Sequence, residues 1–118
     1  MPHPVVHFEI LGRDRKLLEE FYKSVFNWEI EPVEDWYSLV KPGTGIGGGI
    51  GARAQYAGHV TFYVAVTDIA DSLALIESKG GKTAFGPNPI PDGGIIAGFT
   101  DPEGHLIGLM QARPKQEN

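Results

Sequence analysis

The chain has 118 residues, no cysteine and a formal charge of −5, with a pI near 5.2. Those totals exclude a disulfide framework, thiolate metal sites and a cysteine nucleophile, and they argue against nucleic acid, whose binding needs concentrated Lys and Arg. No apolar run approaches membrane-spanning length and the N-terminus lacks a signal-peptide pattern, so a cytoplasmic protein is expected.

Residues 5–11 alternate as a first strand, with Val6, Phe8 and Ile10 on one side and His7 and Glu9 on the other. Asp14 is suited to cap a helix in which Leu17, Leu18, Phe21, Tyr22 and Val25 recur at helical spacing, and which ends near Asn27. Trp28 to Val33 and Trp36 to Val40 are predicted strands. After the turn Lys41-Pro42-Gly43-Thr44-Gly45, Ile46 to Ala52 is a glycine-laden strand, and glycine there marks a bulge or a close approach to the backbone.

The second half alternates from His59 to Val66, with Val60, Phe62 and Val64 opposed to His59, Thr61 and Tyr63. Asp68 caps a helix carrying Ile69, Leu73 and Ile76, which Gly80-Gly81 stops. Lys82 to Phe85 is a short predicted strand and Pro87 to Gly94 a long turn. Ile95 to Phe99 and His105 to Gln111 form a hairpin across Asp101-Pro102-Glu103-Gly104, and the polar tail from Ala112 is expected to fray.

A shift of fifty-four residues lays Val6, Phe8, Ile10 and Asp14 on Val60, Phe62, Val64 and Asp68. Each half thus reads strand, helix and three strands, an internal repeat of one supersecondary unit. The expectation is a single α+β domain over 1–118, built from two tandem βαβββ modules, 5–52 and 58–111. Their mixed sheets would curve around a cleft, with the helices on the outer face.

The run Val6-His7-Phe8-Glu9-Ile10, Phe21-Tyr22 fourteen and fifteen residues after His7, the repeat, and Asp101-Pro102-Glu103-Gly104 before a last strand together resemble the vicinal oxygen chelate superfamily. This is the glyoxalase, bleomycin-resistance and dioxygenase group. Ile46-Gly47-Gly48-Gly49 is similar to a bacterial branch described as related to lactoylglutathione lyase. The resemblance implies the glyoxalase-like fold and a homodimer. It does not imply one activity, because the superfamily holds isomerases, dioxygenases, epimerases and metal-free drug binders.

In metal-using members, ligands stand on the first and last strand of each module. His7 falls on one such position. The last-strand positions fall on Gly108 and within Gly47-Gly48-Gly49, so both carboxylates are missing. Opposite His7 stands Thr61 by ungapped spacing, or His59 if the strand is displaced by two residues. A divalent metal (Zn, Ni, Mn or Fe) held by His7 and His59 is one expectation, and no certain cofactor is another; glyoxalase I activity is not expected. His7, Glu9 and His59 would supply two histidines and a carboxylate, a set that suits non-haem iron(II). His7 and Glu9 nevertheless lie about 6.6 Å apart along one strand, which strains joint chelation.

The remaining candidates line the expected cleft. His7 and Glu9 can act as a proton-carrying pair near neutral pH. Tyr63 offers a phenol, Trp36 a ring to stack on a planar ligand, and Thr61 a hydroxyl. Gly48 and Gly108 leave room for the ligand where carboxylates would have stood. Trp28, next to the helix, reads as core. The function expected is a lyase or isomerase acting on a small carbonyl compound, or alternatively a non-catalytic binder of a small drug or metabolite.

Overall fold

The computed structural model describes residues 2–53 and 57–112. Within them the chain is α+β, with two copies of the order strand, helix, strand, strand, strand. The first comprises β1 (Val5–Gly12), α1 (Arg15–Phe26), β2 (Glu29–Glu34), β3 (Tyr37–Lys41) and β4 (Gly47–Ala52). The second comprises β5 (His59–Ala65), α2 (Ile69–Ser78), β6 (Lys82–Pro89), β7 (Ile95–Thr100) and β8 (Leu106–Gln111). By packing, the chain forms two compact units, one of Val6–Phe62 and one of Tyr63–Asn118 with Met1–Val5.

In the first unit the strands run in the order β2-β3-β4-β1, with β1 parallel to β4 and the other neighbours antiparallel. Asp14 caps α1 as its position suggests, accepting a hydrogen bond from the Leu17 N–H at 3.0 Å. Asn27 closes the helix in the left-handed conformation at φ 58°, its N–H donating to the Lys23 carbonyl. The helix covers the face of the sheet that carries Phe8, Val40 and Ile50. There Trp28 stands 5.4 Å from Phe8, 5.5 Å from Tyr22 and 5.4 Å from Phe26 between ring centroids, so it is core as expected. On the same face the fully buried Ser38 donates to Glu19 Oε2 at 2.6 Å, and Glu19 is held in turn by Arg15 at 3.1 Å.

The apolar stripe of α1 is wider than the contact it makes. Leu18 and Tyr22 are half-buried, whereas Leu17, Phe21 and Val25 are 67%, 56% and 55% exposed. Residues four apart share one side of a helix, so the three form a single exposed apolar line along it.

In the second unit the order is β6-β7-β8-β5, with β5 parallel to β8. Asp68 caps α2 through the Asp71 N–H at 2.9 Å. Ile69 and Leu73 of α2 bury against Ala97 and Leu109, with Val64, Ile76 and Phe99 around them. β6 extends beyond the short strand expected, through Pro87 to Pro89, and meets β7 with register shifts around Phe85. The Asp101-Pro102-Glu103-Gly104 turn forms as predicted. Asp101 accepts backbone N–H bonds from Glu103 and His105 and faces the His105 ring at 2.9 Å. The backbone N–H of His105, foremost, draws the Asp101 carboxyl below its usual range. The tail expected to fray lies outside the described residues beyond Ala112.

Candidate functional site

The register of β1 on β4 sets the candidate site. His7 lies opposite Gly47 and Glu9 opposite Gly49, while on the other flank Leu39 pairs with Gly49 and Tyr37 with Gly51. Directly paired residues point to the same side of a sheet. His7, Glu9, Leu11, Tyr37 and Leu39 therefore share the face opposite α1, beside the bare backbone of Gly47, Gly49 and Gly51. A side chain leaning across β4 meets no obstacle there.

Tyr37 takes that path. A Cβ at Gly49 would sit 1.7 Å from the Tyr37 hydroxyl oxygen and 2.1 Å from Cζ, so the glycine is what admits the phenol. The hydroxyl ends between the two sequence-predicted residues, 2.9 Å from His7 Nε2 and 3.0 Å from Glu9 Oε2, to which it donates. His7 and Glu9, two residues apart on one strand, are thereby joined through a third residue.

Tyr37 has one O–H, and that proton is given to Glu9. In the tautomer that carries hydrogen on Nε2, His7 donates to the Tyr37 oxygen and Nδ1 is the basic nitrogen. Burial pushes the His7 pKa down from its usual value, so the ring is neutral and able to accept a proton at neutral pH.

Beside Tyr37 lies Trp36, with ring centroids 5.1 Å apart. Both rings come over Gly51, where an added Cβ would meet Tyr37 Cδ1 at 3.0 Å, Leu11 Cδ2 at 3.0 Å and Trp36 Cε3 at 3.2 Å. The Arg53 guanidinium carbon stands 4.5 Å from the centre of the Trp36 ring. His7, Glu9, Tyr37, Trp36 and Arg53 thus form one continuous surface of the first unit.

The other expected residues fall as follows. Gly48 opens toward the opposite face, where a Cβ would strike the Phe8 ring at 2.6 Å, so it belongs to the helix-side packing. Gly108 is roofed by Tyr63, whose ring would lie 2.4 Å from an added Cβ, and Tyr63 is itself buried. The glycines in the ligand positions are therefore covered by aromatic rings, not left as open space. The close approach that glycine signals in a strand is the approach of Tyr37 and Tyr63. Thr61 directs its hydroxyl at the Phe62 carbonyl at 3.4 Å, and the His59 Nε2 is buried with no hydrogen-bond partner among the described residues.

A divalent metal would need several converging donor atoms on this surface. Gly49 and Gly108 bring no ligand atom, and a longer side chain at either position would collide with a tyrosine. His7 Nε2 is engaged by Tyr37, and among the described residues no three His, Asp or Glu side chains gather as a ligand set. The donor set does not fit such an ion.

Two residues of this surface escape sequence reasoning. Tyr37 sits at the start of a short strand, where alternation puts it on the polar face but cannot show that its hydroxyl reaches His7. Arg53 follows β4 with no pattern around it. The signal for Tyr37 was available in part, since three alternate glycines in one strand mark the strip that a neighbouring side chain can cross.

The family model for the Glyoxalase/Bleomycin resistance protein/Dioxygenase superfamily matches residues 5–109. A chloroplast protein of Arabidopsis thaliana described as a probable lactoylglutathione lyase is 37% identical over 62 residues, which is 52% of this chain and 18% of that protein. The chain thus spans less than a fifth of the length of that relative. A methylmalonyl-CoA epimerase from Mycobacterium tuberculosis shares the fold with TM-score 0.68 and 17% identity, over 93% of this chain and 88% of that one. A hypothetical protein from Bacillus halodurans C-125 does so with TM-score 0.75 and 13% identity, over the full length of both chains.

Proposed function

The chain belongs to the Glyoxalase/Bleomycin resistance protein/Dioxygenase superfamily, and within it we propose that the protein moves a proton at the carbon beside a carbonyl of a small organic compound, without a metal, through His7. The observation that carries this reading is the Tyr37 hydroxyl held between His7 Nε2 and Glu9 Oε2. One structural neighbour is named a methylmalonyl-CoA epimerase, and inversion at a carbon beside a thioester carbonyl can proceed by removing a proton and returning it.

The step balances on the residues present. The C–H bond breaks, its electron pair passes into the carbonyl as an enolate, and the proton goes to the basic nitrogen of neutral His7. The imidazolium so formed donates from Nε2 to Tyr37, which donates to the Glu9 carboxylate, so negative charge is aligned behind the new positive charge. Reprotonation from the same ring nitrogen returns His7 to its starting state. Tyr37 and Glu9 act here as positioning residues that set the tautomer and stabilise the cation.

The test is deuterium exchange in D2O, followed by NMR, with pyruvate, dihydroxyacetone phosphate, their uncharged counterparts methyl pyruvate and dihydroxyacetone, and methylmalonyl-CoA. Exchange beside the carbonyl should exceed the buffer rate, fall by about 10²-fold or more in His7→Ala as expected for a lost general base, and persist at a reduced rate in Tyr37→Phe. Bound compounds that show no exchange above buffer would sink the catalytic reading.

A second reading has its own support. The adjacent rings of Trp36 and Tyr37 offer stacking area that needs no chemistry, and a non-catalytic binder of a planar drug or metabolite would use it. In that case His7→Ala would cost modest affinity and there would be no turnover to lose. In either reading we take the working form to be a cytoplasmic homodimer. The exposed line of Leu17, Phe21 and Val25 supports pairing of two copies, and sedimentation of a Phe21→Glu variant as a monomer would check it.

A further inference from the structure

We propose that Arg53, lying over the face of Trp36, selects the ligand: it receives a carboxylate or phosphate group of the small carbonyl compound whose reacting carbon meets His7. The proposal rests on the reading above for the carbonyl end, while its anionic end stands on separate observations.

The chain carries 15 acidic against 10 basic Lys and Arg residues, and two cations of the first unit, Arg15 and Lys41, pair with carboxylates. Arg15 is paired with Glu19 at 3.1 Å and also donates to the Glu34 carbonyl at 2.7 Å. Lys41 is paired with Glu31 at 3.1 Å. Arg53 differs, for no carboxylate among the described residues lies within ion-pair distance of its guanidinium, and its recorded side-chain contact is with Trp36. Its backbone is nonetheless anchored, with the N–H donating to the Gly12 carbonyl at 3.1 Å where β1 and β4 end their pairing.

The support under the guanidinium is equally defined. Trp36 is half-buried, packs against Tyr37, and is admitted over β4 by the missing Cβ of Gly51. A guanidinium over an indole face loses part of its freedom to the ring while keeping N–H donors for an oxyanion, the geometry in which Arg recognises carboxylate and phosphate. The ring-to-ring step of 5.1 Å and the ring-to-cation step of 4.5 Å carry the positive charge along the same aromatic surface as Tyr37. A compound with a carbonyl at one end and an acid group at the other would meet both ends of that surface. An anion at one end also fixes which carbon is presented to His7 at the other.

The experiment is an NMR titration that follows the indole N–H signals of the two tryptophans. Pyruvate and dihydroxyacetone phosphate are compared with methyl pyruvate and dihydroxyacetone, on the native protein, Arg53→Gln and Arg53→Lys. The Trp36 signal should move with the anions. Arg53→Gln should weaken anion binding about tenfold while leaving the neutral compounds unchanged, the size expected for one exposed charge-assisted contact. Arg53→Lys should recover part of the loss. A response to only one of the two anions assigns the group as carboxylate or as phosphate. Anions that do not bind, that bind no better than their neutral counterparts, or that bind Arg53→Gln as well as the native protein would overturn the proposal. Arg53-dependent binding with no deuterium exchange would overturn proton transfer and leave the anion site standing. Exchange that survives Arg53→Gln with unchanged affinity would do the reverse.

Discussion

Replacing Gly49 with alanine should expel the Tyr37 hydroxyl from its place between His7 and Glu9. The backbone of Gly49 is not in the left-handed region, so alanine is conformationally allowed and only the new methyl group acts. That methyl would lie 1.7 Å from the hydroxyl oxygen, 2.1 Å from Cζ and 2.8 Å from Cε1, all at the far end of a side chain that can swing away. The cost is therefore mainly the two hydrogen bonds, at 2.9 and 3.0 Å, each contributing about 0.5–1.5 kcal/mol. Against this stands a gain of about 0.4–1 kcal/mol, because alanine restricts the unfolded chain more than glycine does. The net destabilisation should lie between about 0 and 2.5 kcal/mol, centred on about 1.3 kcal/mol, measured by urea unfolding followed by circular dichroism. The decisive comparison is the same substitution in a Tyr37→Ala background. With no phenol to displace, Gly49→Ala should cost nothing there, or stabilise by a few tenths of a kcal/mol. Equal destabilisation in both backgrounds would show that Tyr37 does not occupy the space over Gly49, and the assembly of the site would fall with it.

Other substitutions probe other parts of the argument. Gly108→Ala should cost more than Gly49→Ala, about 2–4 kcal/mol, because the new methyl meets Tyr63 at Cγ as well as Cδ2 and Cε2, and a buried ring held at its root cannot swing clear. Trp28→Ala should cost about 3–5 kcal/mol by emptying the centre of the Phe8, Tyr22 and Phe26 cluster, read from the urea midpoint. Ser38→Ala should cost about 1.5–3 kcal/mol, since it removes a buried donor from the Glu19 carboxylate; a cost below 0.5 kcal/mol would mean that Arg15 alone satisfies that charge. The folded-state pKa of His7 is lowered, so below the ordinary imidazole range the unfolded chain binds more protons than the native one. The His7 contribution to stability is thus present above that range and lost as pH falls through it. Unfolding between pH 7.5 and 5 should therefore lose stability in the native protein, and His7→Gln should remove that component of the slope.

Alternation and capping made most of the secondary structure legible in the sequence. Val6, Phe8 and Ile10 against His7 and Glu9 define β1, and Asp14 and Asp68 open both helices at the residues where they are found. These signals are local: a strand has a period of two, and a cap is satisfied within three residues. The same locality explains the misses. Helical spacing could not tell the half-buried Leu18 and Tyr22 from the exposed Leu17, Phe21 and Val25, because the width of the sheet beneath α1 is not encoded in α1. Pro87 to Pro89 read as turn from composition, yet pairing with β7 holds them extended. The site divides along the same line. His7 and Glu9 were readable as a pair on one face from their spacing alone. Their connection through Tyr37 depends on β3, β4 and β1 lying side by side in one register, and on glycine at 49 leaving the way open. The sequence determined which residues face the polar side of each strand, because that choice lies within a few neighbouring residues. Only the tertiary structure decided which of them touch, because hydrogen bonds between residues 28 and 30 positions apart exist only once the sheet has assembled.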